Sequence, residues 1–124
     1  MTTPLPSSPE TAAFWDACRE HRLLVRRCTA CGKVHWYPRT ICPFCFSDRT
    51  VWQDSPGKGT VYTYSVMRRV PEPYAIAYVT LDEGVSLMTN IVDCDLDALR
   101  IGQAVRVAFR EEADGRTVPV FRPV

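Results

Sequence analysis

Cysteine carries the most legible chemistry in this chain. Cys28-Thr29-Ala30-Cys31 and Cys42-Pro43-Phe44-Cys45 form two CxxC pairs separated by ten residues. A CxxC segment folds as a tight knuckle with both sulfurs aimed at one point, and two knuckles on neighbouring hairpins supply four thiolates at about 2.3 Å around a tetrahedral metal. This is zinc-ribbon spacing. Four thiolates leave no position open for water or substrate, so the residues predict a structural zinc on Cys28, Cys31, Cys42 and Cys45. The alternatives for the same residues are reduced thiols or two disulfides, but unpatterned cysteines rarely fall into paired CxxC motifs at this separation. Gly32 suits the first knuckle because it takes positive φ at no steric cost. Phe46 stands at the equivalent place of the second, which must close around a bulkier residue. His35 lies between the pairs and reads as an exposed or stacking histidine, because the cysteines already complete the shell.

Little else in the sequence could do catalysis. General acid–base chemistry needs a titratable pair in a pocket, and the histidines are His21, late in an N-terminal helix, and His35, in the ribbon. No Ser, His and Asp arrangement, Gly-rich phosphate loop or HExxH motif is present. Cys94 sits between Asp93 and Asp95, whose charges raise a thiol's pKa and blunt it as a nucleophile. The sequence therefore reads as non-catalytic. Nucleic-acid binding is the alternative: Trp52, Tyr62 and Tyr64 could stack bases, with Tyr62 and Tyr64 on one face of their strand. A net charge of +1 and the acidic turns at Asp82-Glu83 and Glu111-Glu112 argue against it.

The elements that must position these residues follow in order. Residues 1–8 form a polar, Pro-broken lead. Ser8-Pro9-Glu10 reads as a helix start, with Ser at the N-cap and Pro at the first helical position. Phe14, Trp15, Cys18 and Leu23 then recur at helical spacing on one face, with Asp16, Arg19, Glu20 and Arg22 on the other. A helix of about fourteen residues is marginal alone, so its aromatic face must dock on the ribbon, the C-terminal domain or another protein. Residues 23–27 and 33–36 form the hairpin of the first knuckle, and residues 49–53 the last ribbon strand. The turn-rich stretch 54–59 is a boundary. Period-two strands follow at 60–69, 75–81, 85–92, 104–110 and 117–121, with a short helical turn between residues 93 and 101. Five strands with a helical insertion between the third and fourth match an OB-fold. The fold class is therefore mainly β: an N-terminal helix over residues 1–22 with its lead, a zinc ribbon over 23–56, and a five-stranded OB-fold barrel over 57–124.

Composition sets the bounds. The chain of 124 residues is about one domain long. It has no apolar run of membrane-spanning length, and its polar start lacks the basic and apolar regions of a signal peptide. A cytoplasmic location follows, which also suits reduced thiolates. Arginine outnumbers lysine thirteen to two, a bias that favours bidentate contacts to phosphate and carboxylate but that codon composition explains equally well.

Several stretches together resemble the domain of unknown function 35 family. They are Leu24-Val25-Arg26-Arg27-Cys28-Thr29-Ala30-Cys31-Gly32-Lys33, Pro38-Arg39 ahead of Cys42-Pro43-Phe44-Cys45, and Gly57-Lys58-Gly59-Thr60-Val61-Tyr62-Thr63-Tyr64-Ser65-Val66. Leu81-Asp82-Glu83-Gly84, Ile101-Gly102-Gln103-Ala104-Val105 and Val120-Phe121-Arg122-Pro123 follow in the family's order. The departure is Phe46, where small residues are usual. The resemblance implies a rubredoxin-like zinc ribbon joined to an OB-fold. It also implies a non-catalytic accessory subunit that binds acyl-CoA or docks on a thiolase-like enzyme or hotdog hydratase of lipid, steroid side-chain or isoprenoid metabolism. A coenzyme A site would want arginine forks beside an apolar strip, for which Arg26, Arg27, Arg39, Arg68 and Arg69 are the candidates, each weighed against being a solvated charge. Phe14, Trp15, Trp36 and Tyr37 are the candidate partner-docking residues.

Overall fold

The computed structural model describes residues 11–36, 39–113 and 115–124. Helix α1 spans Ala12–Arg19 and turns Phe14, Ala17 and Cys18 inward. Thr11 occupies its N-cap without a side-chain capping bond. The expected start at Ser8-Pro9-Glu10 lies outside the described residues. The helix stops earlier than its apolar spacing suggests. His21 takes φ 59°, its N–H bonds the Cys18 carbonyl and the Arg22 N–H bonds the Ala17 carbonyl. That is a left-handed Schellman termination, built here on histidine where glycine is usual.

Strand β1, Leu23–Cys28, buries Leu23, Leu24, Val25 and Cys28. It is the centre of a three-stranded antiparallel sheet in the order β2-β1-β3, with β2 at Val34–His35 and β3 at Thr50–Ser55. The expected return strand over 33–36 is therefore only two residues long. His35 corrects the sequence reading: it is 2 % exposed, because position 35 pairs with Arg26 of the central strand.

The barrel strands are β4 at Lys58–Met67, β5 at Tyr74–Leu81, β6 at Ser86–Ile91, β7 at Ala104–Glu111 and β8 at Thr117–Pro123. A 3-10 turn, Leu96–Ala98, lies between β6 and β7. They close in the order β4-β5-β6-β8-β7, the five-stranded OB-fold with its helical insertion between third and fourth strands. Val61, Val79, Leu81, Leu87, Ile91, Val105 and Phe121 form its core. Gly59 has a packing reason: a Cβ there would lie 2.5 Å from the Thr80 carbonyl oxygen.

The pairing of β4 with β5 shifts register between Val61 and Thr63, which makes Tyr62 a bulge residue. Gly59 and Val61 are buried before it, Tyr64 and Val66 half-buried after it, and Tyr62 stays exposed. The expectation that Tyr62 and Tyr64 share a face is thereby corrected, since the extra residue inverts the alternation.

By contact, the chain divides into two compact units, Met1–Pro56 with Phe109–Val118, and Gly57–Ala108 with Pro119–Val124. In the first, Phe14 is buried edge-on between Trp15 and Trp36, both at 5.0 Å between ring centroids. His21 stacks on Phe109 at 5.2 Å, and the Arg116 guanidinium lies over the Trp15 ring. The aromatic face of α1 thus finds its cover inside this unit. No helix among the described residues is long and apolar enough to cross a membrane.

Candidate metal centre

The two knuckles are built alike. β1 delivers Cys28 to the first, where the Cys28 N–H bonds the Lys33 carbonyl at 3.0 Å and the Gly32 N–H bonds the Cys28 carbonyl at 2.9 Å. In the second the Cys42 N–H bonds the Ser47 carbonyl and the Phe46 N–H bonds the Cys42 carbonyl, both at 2.9 Å. Thr29 ties the first knuckle to β3, its N–H and hydroxyl both donating to the Arg49 carbonyl. The Thr50 hydroxyl donates to the Thr40 carbonyl, holding the approach to the second.

These frames bring the four sulfurs of Cys28, Cys31, Cys42 and Cys45 within 4.8 Å of one another. Cys28 and Cys45 Sγ are 3.6 Å apart, Cys31 and Cys42 Sγ 3.7 Å. A tetrahedron of 2.3 Å zinc–sulfur bonds has edges of about 3.8 Å, whereas a disulfide needs about 2.05 Å. The spacing fits a single metal and excludes the two-disulfide alternative; all six cysteines are free thiols.

Electrostatics point the same way. Backbone N–H groups, that of Cys31 foremost, bring the Cys28 thiol down to about 7 against the effect of burial. Burial, the largest single influence on Cys42, raises it, but the N–H groups of Cys45 and Phe44 carry the balance downward. The Phe44 N–H reaches Cys42 Sγ at 3.4 Å. The Ser47 N–H pulls Cys45 downward, yet burial and the three neighbouring sulfurs push it up to about 12. Four thiolates so close do not ionise together unless a cation sits among them. Zinc bound by these cysteines would supply a rigid cross-link between two knuckles too small to hold a core of their own.

The other candidates fall in varied surroundings. Arg26 is committed within the ribbon: its Nε donates to the Thr50 hydroxyl and the Arg39 carbonyl, and its guanidinium lies 4.6 Å from the Trp52 ring centroid. Arg27 and Arg39 are exposed in the same unit. Arg68 pairs with Asp97 at 2.7 Å, and Arg69 is exposed beside it in the barrel unit. Phe14 is too buried to offer a docking surface, and Trp15 and Trp36 are half-buried against it. Tyr37 lies outside the described residues. Burial raises Cys18 to about 11. It also raises Cys94, reinforced by Asp95 and Asp93, so neither thiol is an activated nucleophile.

Two exposed apolar features escaped the sequence reading. The second knuckle displays Ile41, Phe44 and Phe46, the last 78 % exposed, with Lys33 over the Phe44 ring. On the barrel exterior Tyr62, Tyr78 and Met88 form a row across β4, β5 and β6, Tyr78 standing opposite both Thr63 and Met88. Met67 and Tyr74, also exposed, pair further along. The signal available was that Tyr78 and Met88 occupy outward positions of alternating strands, where polar residues usually stand.

Comparison with known proteins gives both units relatives. The model of the ChsH2 rubredoxin-like zinc ribbon domain matches residues 15–51, and that of the ChsH2 C-terminal OB-fold domain matches residues 52–110. A "Probable enoyl-CoA hydratase alpha subunit" from Thermomonospora curvata is 36% identical over 126 residues, covering 97% of this chain but 40% of the relative. The chain thus spans well under half of that protein's length. A "DUF35 domain-containing scaffold protein" from Methanocaldococcus jannaschii is 35% identical, covering 89% of this chain and 88% of the relative. Among solved structures, a chain of the "Ltp2-ChsH2(DUF35) aldolase" superposes with a TM-score of 0.87 at 34% identity, covering 97% of this chain and 98% of that one. The paired knuckles, the closed five-stranded barrel and the near-complete alignment with a scaffold protein of that name place this chain in the DUF35 family of zinc-ribbon and OB-fold proteins.

Proposed function

We propose that the chain is a non-catalytic, zinc-braced scaffold subunit that docks on an enzyme acting on acyl-CoA thioesters. The partner is of the hydratase or aldolase type, or a thiolase-like enzyme, whose acyl-CoA site the chain completes or steadies. The observation that carries this reading is the match over 97% of the chain to a component of the "Ltp2-ChsH2(DUF35) aldolase". The names of the hydratase alpha subunit and the scaffold relatives support it. The chemistry agrees with it. A metal closed by four thiolates has no open position for Lewis-acid work. A row of Tyr62, Tyr78 and Met88 is the composition of a protein interface core, where tyrosine and methionine are enriched. Arg27 and Arg69 are exposed candidates for acyl-CoA phosphate contacts, as is Arg39 by its exposure alone.

The test is affinity capture from the native cell with the zinc-loaded chain as bait, in parallel with Met88→Glu. The proposal expects a hydratase, aldolase or thiolase subunit in stoichiometric amount, reduced at least about tenfold by a charge in the interface core. Recovery of RNA or DNA that salt removes, without an acyl-CoA enzyme, would replace it with the nucleic-acid reading.

A further inference from the structure

Two arginines face each other on the outside of the barrel. The Val124 N–H bonds the Ala104 carbonyl, so the antiparallel ladder of β7 and β8 sets Arg106 beside Arg122. On the other flank of β7, Lys58 of β4 is the cross-strand partner of Arg106. Three positive side chains thus cross three adjacent strands, all exposed. Like charges directly opposite one another on a sheet destabilise it.

The surrounding structure does not offset that cost. Arg19, Arg22, Arg68 and Arg110 each meet a carboxylate. No hydrogen bond or ion pair among the described residues engages the side chains of Lys58, Arg106 or Arg122. Arg106 and Arg122 line a recess of about 400 Å³ together with Asp93, Pro123 and Val124. Asp93 is held there by a left-handed backbone, φ 52°, just beyond the end of β6.

We propose that this recess binds the phosphate or diphosphate group of a small phosphorylated ligand. Two guanidinium groups on adjacent strands present paired N–H forks that match phosphoryl oxygens bidentately, and Lys58, across β7 from Arg122, adds a third positive charge to the same face. Pro123 offers an apolar wall to the organic part. A short cluster of positive side chains and a net charge of +1 suit a small dianion better than a polynucleotide, which needs a continuous basic track; the Asp93 carboxylate at the recess opposes the anion and limits its affinity. This site lies apart from the arginines singled out by sequence, and it stands whether or not the chain docks on an acyl-CoA enzyme.

Titration of the full zinc-loaded chain with inorganic pyrophosphate at low ionic strength, followed by calorimetry and amide NMR, tests it. Saturable binding is expected, weakened about tenfold by Arg106→Ala and by Arg122→Ala and unchanged by Arg19→Ala. Asp93→Asn should tighten it several-fold, because asparagine keeps the left-handed backbone while removing the opposing charge. Should either alanine variant lose its folded amide spectrum, Arg106→Gln and Arg122→Gln carry the same expectation. Tighter binding of adenosine diphosphate than pyrophosphate would identify a nucleotide as the source of the phosphate, and equal affinity a simpler phosphate compound. Absence of saturable binding, equal affinity in the double alanine variant, or tighter binding of a single-stranded oligonucleotide through the same residues would each overturn the proposal.

Discussion

Gly32 and Phe46 occupy the same station in the two knuckles. Each has positive φ, 78° and 62°, and each donates its N–H at 2.9 Å to the carbonyl of its knuckle's first cysteine. The knuckle therefore demands a left-handed residue, and only one of the two sites supplies the residue type that adopts it freely.

Gly32→Ala should cost about 1 kcal/mol, from backbone strain alone, since a Cβ there meets nothing within 4 Å. Phe46→Gly should cost nothing measurable, because relief of the same strain offsets the flexibility glycine adds and the exposed ring surrenders little buried surface. Urea unfolding of the zinc-loaded variants checks the pair. A Phe46→Gly loss as large as that of Gly32→Ala would mean the ring itself braces the knuckle.

Cys42→Ser should abolish stoichiometric zinc, because one lost thiolate opens a shell that four sulfurs at tetrahedral spacing close. Metal analysis of the purified variant reads this directly. One zinc per chain retained at wild-type affinity would show that the shell does not depend on this sulfur.

Phe14→Ala should destabilise the chain by about 3 to 5 kcal/mol, the usual cost of emptying a buried phenylalanine site, and lower its thermal midpoint accordingly. A docking residue behaves differently, leaving stability intact and weakening partner capture. Thermal unfolding separates the two roles, and an unchanged midpoint would return Phe14 to the surface.

Tyr64→Phe removes the phenol that donates to the Leu99 carbonyl at 2.8 Å, at an expected cost of about 1 kcal/mol. Tyr62→Phe, at the exposed bulge, should be neutral. Equal effects of the two changes on urea unfolding would contradict the register shift between Val61 and Thr63.

What the sequence made legible is what short-range spacing determines. The four cysteines declare their common centre because each knuckle closes over five or six residues. The five barrel strands declare themselves because alternation is local. The bulge at Tyr62 is invisible from its own strand, since it is a mismatch with the partner strand, where Val79 and Tyr78 pair with Val61 and Thr63 and leave Tyr62 over. The apolar side of α1 was plain, yet helical periodicity says which face is buried and not that Trp36 covers it. Arg106 and Arg122, sixteen residues apart in sequence, are each an ordinary exposed charge taken singly. Only the hairpin register makes them neighbours and turns two ordinary surface residues into a candidate anion site.

His35 is the place where a buried group should tie stability to pH. Its Nε2 donates to the Arg39 carbonyl at 3.4 Å, and its Nδ1 is buried without a hydrogen-bond partner among the described residues. Burial above all, with the nearby Arg26 charge, holds its pKa below the ordinary 6.5 despite the opposing pull of that carbonyl. The folded chain thus prefers neutral imidazole, while the unfolded chain takes up a proton near 6.5. This contribution is complete above that pH and is lost as the pH falls through and below it, because the unfolded state then binds more protons. His35→Gln should flatten the stability profile between about pH 7 and 5 relative to the parent chain. Zinc release in acid acts on both proteins, so their difference isolates the histidine. In the parent, the His35 ring proton should titrate with a midpoint below 6.5 by NMR. A midpoint at or above 6.5, together with an unchanged slope in the variant, would mean that the ring carries its charge comfortably within the ribbon.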